Sequence, residues 1–408
     1  MTHATDRADW RTPTLVLVAS GVIITLAMGI RHSFGLFLQP MSADLHWGRQ
    51  TFALAIAIQN LVWGATQPFT GMIADKYGAG RVVCVGALLY ALGLALMAHP
   101  GTPLAFMLSA GVLIGIGQSG VTFSVVAGVL GRAYPPEKRS MVLGISAAAG
   151  SFGQFAVLPF AQTLITHIGW YGALLTLAAV AMLIVPLAAT MAERRDSIAH
   201  AFHQSAGQAV GEAFNHRGFQ LLTLGFFVCG FQVVFIGVHL PSYLLDKGLP
   251  ASVGVTALAL VGLFNIVGTY AAGWLGGKMP KRYILSFIYF ARAVVIAIFL
   301  WLPLSPLTVY VFAGAIGLLW LSTVPATNAI IAQVFGVRYL SMLSGVTFFN
   351  HQLGSFLGAW LGGYMFDRTG SYNLVWYLSI ALGVIAGLIN LPIDERAIKR
   401  GSAAGAVA

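Results

Sequence analysis

Twelve apolar stretches alternate along the chain with short polar joints. They cover residues 13–39, 49–74, 80–99, 103–131, 140–165, 169–192, 218–244, 252–277, 283–302, 306–334, 340–366 and 372–393. A helix needs roughly 20 residues to cross a bilayer, and each stretch supplies about that many. The pattern predicts an all-α integral membrane protein with twelve transmembrane helices. Gly354, Gly358 and Gly362, like Gly273 and Gly277, recur at four-residue spacing. That spacing predicts close helix crossings rather than chemistry. The first apolar stretch is too long for the core of a secretion signal and no small-residue cleavage site follows it, so it is expected to remain as the first helix.

The pattern repeats at an offset of 201 residues. Gly29 matches Gly230, Phe34 matches Phe235 and Pro40 matches Pro241; later, Gly144 matches Gly345, Gly153 matches Gly354, Gly169 matches Gly370 and Tyr171 matches Tyr372. Two pseudo-symmetric six-helix halves follow, residues 1–193 and 218–408. The polar segment 194–217 joins them and is expected to carry a short helix at Ala206–Asn215. Parallel halves related by an axis along the membrane normal place a site between them, near mid-bilayer.

Composition supports the same class. The chain is 58% hydrophobic and 8% charged, against about 25% charged for a soluble domain. Its 22 basic and 12 acidic residues would suit nucleic acid if they formed one surface, but they do not. Arg49, Lys247 and Arg368 fall on one side of the membrane and Arg31 and Arg292 within it; the other basic residues share the side of the termini. This is the positive-inside distribution and predicts both termini in the cytoplasm. A multi-pass protein of the bacterial inner membrane is expected, with no nucleic-acid partner, no cofactor and a monomeric state. Cys84 and Cys229 both fall within spans and are expected to pack as small apolar groups, not as disulfide or metal partners.

Against that background, Arg31 is conspicuous. It lies deep in the first span, and all twelve acidic residues sit at or beyond the membrane edges. An ionised side chain at such depth is a functional candidate by default. An unpaired buried cation awaits an anion, whereas an exporter of cationic drugs would need a carboxylate that this membrane region lacks. Arg31 is therefore the expected ligand of an organic anion. Its repeat mate Gln232 is expected to face it, with Gln118, Asn265, Trp320 and Thr323 completing a polar cavity. His239 and His351 are the expected proton-coupling groups, since imidazole titrates near neutral pH. His32 is read as a packed polar residue, and Arg292 as a structural cation turned toward the inner helices. No metal-ligand spacing and no nucleophile with its base are evident, so an enzyme is not expected.

Between the second and third spans the chain reads Gly71-Met72-Ile73-Ala74-Asp75-Lys76-Tyr77-Gly78, followed by Arg81. This resembles the loop signature of the major facilitator superfamily. The resemblance implies alternating access, with Asp75, Lys76 and Arg81 as gating residues. The second-half copy has Gly277 in place of the acid and keeps Lys278, Lys281 and Arg282. Further stretches resemble the bacterial members of the monocarboxylate-transporter-like branch: Arg31 to Leu38, His239-Leu240-Pro241 with Tyr243 and Gly248, and Asn265 with Gly268. That resemblance implies symport of protons with a small carboxylate. Thr269 stands where lactate carriers of the branch place an arginine. The departure shifts the expected charge onto Arg31, and Phe123, Trp320, Phe348 and Phe349 allow a larger or partly aromatic acid. The reading is a secondary transporter importing a monocarboxylate with protons. Its rival is broad-specificity efflux of apolar or anionic compounds.

Overall fold

The computed structural model describes residues 11–134, 136–192, 206–336 and 340–398. We label its long helical runs α1 (Pro13–Asp44), α2 (Arg49–Tyr77), α3 (Ala79–Ala98), α4 (103–133), α5 (136–168), α6 (170–191), α7 (Arg217–Asp246), α8 (Ala251–Gly276), α9 (Lys281–Trp301), α10 (Pro306–Phe335), α11 (Leu340–Thr369) and α12 (Asn373–Asn390). The short linker helix Ala206–Asn215 forms where the sequence predicts it.

Nine stretches among the described residues are long and apolar enough to cross a membrane unaided, and one of them, Gly144–Met191, spans the bend at Gly169. The runs that fall short include α2 and α11, which carry Gln59, Asn60 and Gln67, and Asn350, His351 and Gln352. Their polarity has a place to go, because these two helices pack against each other at the centre of the molecule.

The halves are built alike. In the first, α1 crosses α5 where Gly29 approaches the backbone of Gly153 and Gly153 approaches that of Thr25; in the second, α7 crosses α11 where Gly230 approaches His351 and Gly354 approaches Phe227. A Cβ at any of these four glycines would meet a carbonyl oxygen. The turns after α5 and α11 are also repeat mates: Gly169 has φ 71° and Gly370 has φ 66°, a left-handed conformation that costs other residues about 1–2 kcal/mol.

Three helices break at membrane depth: α1 at Ser33, α4 at Thr122, and α10 around Trp320–Ser322. The breaks in α4 and α10 fall at positions related by the repeat. Freed backbone groups in hydrocarbon need internal partners. In α4, Gln67 Nε2 and Thr70 Oγ1 each donate to the Ser119 carbonyl at 3.2 Å. In α10, Asn265 Oδ1 accepts from Leu321 N at 3.0 Å.

The halves meet along α2–α11 and α5–α8. Among the described residues their hydrogen bonds lie mid-membrane or at the end away from the termini. Gln154 Nε2 donates to the Leu258 carbonyl at 2.9 Å, and Asn265 Nδ2 to Ser151 Oγ at 3.0 Å. Toward the termini, Gly71, Gly144 and Gly345 face open space. Among the described residues the halves are fastened to each other at mid-depth and at the far end.

Candidate functional site

Arg31 lies two residues before the break in α1 and projects between the halves. Its guanidinium donates to Asn60 Oδ1 on α2 and stands 4.7 Å from the Trp63 ring centroid, a cation–π distance. Its Nε is buried and has no partner. A cavity of about 30 Å³ opens beside it, walled by His32, Gln59, Asn60, Gly237 and Trp320 among others. This is room for on the order of two waters. The Trp320 indole nitrogen is likewise buried without a partner, and Trp320 belongs to the same wall. Two N–H donors, one cationic, therefore lack acceptors on residues that wall one space between the halves. Buried donors left unpaired cost about 1–3 kcal/mol each, a cost that an anion in the cavity would remove.

The floor under Arg31 is aromatic. Trp63 packs edge-on against Phe348 of α11 at 5.2 Å, and Phe348 stacks on His351 at 5.8 Å with an 8° interplanar angle. Trp63 Nε1 donates to Gln67 Oε1 at 2.7 Å and to Thr122 Oγ1 at 3.2 Å. Gln59 Nε2 holds the Ala110 carbonyl at 2.7 Å, within a widened helical turn at Met107–Leu113. Such turns leave a carbonyl free for an outside donor.

The other predicted residues scatter. Gln232 does not face Arg31. It is buried in the second half, donating to the Ser379 carbonyl at 2.9 Å and accepting from Arg292 Nη1 at 3.2 Å. On α7, Val233, Val234, Gly237 and Val238 face the cavity instead. Thr323 sits beside Cys229 at 3.3 Å, also within the second half. Asn265 clamps α8 to Ser151 of α5 and to the α10 break, and Thr269 Oγ1 donates to it at 3.1 Å. Gln118 is fully buried on α4 beside Tyr90, outside the cavity wall. His239 is buried, its Nε2 2.7 Å from the Ala359 carbonyl, and joins α7 to α11. His351 lies 3.1 Å from Gln352 Oε1, next to the aromatic floor. Arg81 is exposed at the start of α3. The side chains of Asp75 and Lys76 lie outside the described part of the structure.

Arg292 turns inward, as expected, and its partners are protein groups. It donates to the Leu319 carbonyl at 2.6 Å and 3.1 Å and to the Trp320 carbonyl. These are the free carbonyls at the C-terminal end of the first segment of α10, where partial negative charge favours a cation. Arg292→Leu would leave them unpaired. We expect a loss of about 1–3 kcal/mol for each carbonyl left unpaired, read as a fall in the unfolding temperature of the purified protein. An unchanged temperature would show that the α10 break does not need this cation.

Sequence reasoning passed over one ionic cluster. At the far end, Arg49 of α2 makes a bidentate pair with Asp246 of α7 at 2.5 and 2.6 Å and donates to the Tyr372 hydroxyl at 2.9 Å. Asp367 of α11 accepts from the backbone N–H groups of Arg49 and Gln50 at 3.0 and 2.8 Å, capping α2. The signal was present: opposite charges end helices of different halves on the same membrane side.

Paired helical halves, broken inner helices and a cavity at their junction are the architecture of a membrane transporter. The sequence matches the profile of the Major Facilitator Superfamily over residues 17–359, and the chain belongs to that family. It is a multi-pass membrane transporter, not an enzyme. Among its relatives is an uncharacterized MFS-type transporter, YcxA, of Bacillus subtilis (strain 168), 26% identical over 94% of this chain and 96% of that one. Monocarboxylate transporter 11 of Mus musculus is 27% identical over 88% of this chain and 82% of its own. In fold, the chain resembles a bacterial homolog of the human lysosomal transporter Spinster in an inward-facing, unoccupied conformation, with TM-score 0.77 and 16% identity, covering 93% of this chain and 96% of that one. It also resembles a D-xylose–proton symporter, with TM-score 0.72 and 14% identity over 95% and 99% of the two chains.

Proposed function

We propose that the protein imports a small organic anion, a monocarboxylate, together with protons. The carrying observation is the pair of unpartnered donors, Arg31 Nε and Trp320 Nε1, around one cavity between the halves. A carboxylate has two oxygens and could accept from both donors, one of them charged. The absence of an intramembrane carboxylate and the monocarboxylate transporters among its relatives support the same cargo. His351 is the favoured proton group because its ring stacks on Phe348 beneath Trp63; His239 is held between α7 and α11 and serves as the second candidate. Residues 1–193 and 218–408 rock about this site, linked by 194–217. The protein lies in the bacterial inner membrane with both termini cytoplasmic, so the end fastened by Arg49 and Asp246 faces outward. Asp75, Lys76 and Arg81 lie toward the opposite, inner end, where a latch would hold one of the two states.

The test is uptake of a panel of carbon-14 monocarboxylates into proteoliposomes under an inside-alkaline gradient. Uptake is expected to rise with the gradient and to collapse with a protonophore. If no monocarboxylate moves while neutral or apolar compounds do, the proposal is wrong.

A further inference from the structure

A second and larger cavity lies on the far side of the central one. Its volume is about 340 Å³, and it runs between the far ends of α1, α5, α7 and α8. This is within the range of small-molecule sites. The two cavities share Gly35. There α1 and α7 touch backbone to backbone, for a Cβ at Gly35 would meet the Gly237 and Val238 carbonyls. The second cavity is thus the far-side neighbour of the Arg31 site, separated from it by one glycine crossing.

Its lining has a distinct chemistry. Leu36, Pro40, Pro241 and Leu245 make it largely apolar, and it contains no charged residue. Two polar groups in the wall are buried and unsatisfied. Ser242 is 1% exposed with its hydroxyl unpartnered, and Gln39 Oε1 is buried without a donor. An anion would be poorly held here, since no cation compensates its loss of water. An undissociated carboxylic acid matches the two vacancies. Its O–H donates to Gln39 Oε1 while its carbonyl accepts from the Ser242 hydroxyl, and its apolar body lies on the leucines and prolines.

We propose that this cavity is an antechamber that binds the neutral, protonated form of a monocarboxylic acid, in series with the Arg31 site that binds the anion. The proposal rests on the monocarboxylate reading of the central site. It adds a second site, with opposite preference for protonation, and a way for a proton to arrive with the cargo.

The test counts sites by equilibrium binding of carbon-14 butanoate to the purified full chain at about pH 5 and about pH 8. A carboxyl group titrates near pH 4, so the neutral fraction, and with it the apparent affinity of the antechamber, falls about a thousandfold between these conditions. Wild type is expected to show two sites at acidic pH and one at alkaline pH. Ser242→Ala is expected to lose the acidic-pH site alone, and Ser242→Thr, which keeps the hydroxyl, to retain it. Arg31→Gln is expected to keep the acidic-pH site and lose the alkaline-pH one. Two sites surviving in Ser242→Ala would overturn the antechamber. So would a wild type without an acid-dependent site, as a cavity filled by lipid would give. If Arg31→Gln binds normally at alkaline pH while Ser242→Ala behaves as expected, the central reading fails and the antechamber stands.

Discussion

Arg31→Gln is expected to lower kcat/KM for proton-driven anion uptake by at least about thirtyfold. The substitution removes the cation and its unpartnered Nε and leaves a shorter, neutral side chain that still carries an amide donor. Losing one partner of a buried, hydrogen-bonded charge pair costs about 2–5 kcal/mol, and 2 kcal/mol is close to thirtyfold. Arg31→Lys should recover part of the loss, because it restores the charge without the planar fork. Trp320→Phe should cost less, about tenfold, since it removes one neutral donor and keeps the ring. Unfolding temperatures measured alongside separate lost binding from lost folding. Transport by Arg31→Gln with unchanged affinity and rate would make the arginine a structural group.

Arg49→Gln is expected to open the far face. Arg49 and Asp246 come from different halves, and their side chains are only 12% and 25% exposed. Tyr372 and the Asp367 cap fasten the same corner. Surface pairs contribute about 0–1 kcal/mol and buried ones more. A loss of about 1.4 kcal/mol moves a two-state equilibrium tenfold. Spin labels on cysteines substituted at His167 and Lys247, exposed on the two halves at this end, should report a longer-distance population increased by about that factor. Asp246→Asn should act in the same direction. An unaltered distance distribution in both variants would mean that the apolar crossings, not the ionic cluster, hold this face shut. The predicted direction follows from placement: a bond that exists only in the far-closed state stabilises only that state.

Much of this architecture could be read from the chain. The spans are legible because hydrocarbon admits few alternatives to apolar helices, and the constant offset of 201 exposes the halves without any contact being known. Arg31 is legible for the same reason, as a cation in an apolar run is expensive. The residues that complete its site are harder to see. Asn60 and Trp63 lie on α2, where nothing in spacing separates a side chain aimed between the halves from one bonded within its own half. Gln59 and Asn60 are adjacent, yet one holds a carbonyl of α4 and the other the guanidinium of Arg31. Gln232 illustrates the converse. The repeat places it opposite Arg31, but Arg292 brings a second buried cation into the half and takes the Gln232 carbonyl as an acceptor. Sequence shows that such a cation exists; its reach is a property of the packed helices.

The polarity of α2 and α11 bears on how the protein is made. A helix carrying several amides enters a bilayer reluctantly on its own, so each needs a nearby partner as it leaves the ribosome. For α2 that partner is α4, which follows soon after: Gln59 and Gln67 bond the carbonyls of Ala110 and Ser119. For α11 it is α7, already synthesised, whose Thr223 carbonyl accepts from Asn350 at 2.7 Å. Gln59, Gln67 and Asn350 are each bonded inside the half to which they belong. Each of these three amides can therefore find its partner during translation, before the two halves meet, and the surface on which they later slide is released from that part of the work of insertion.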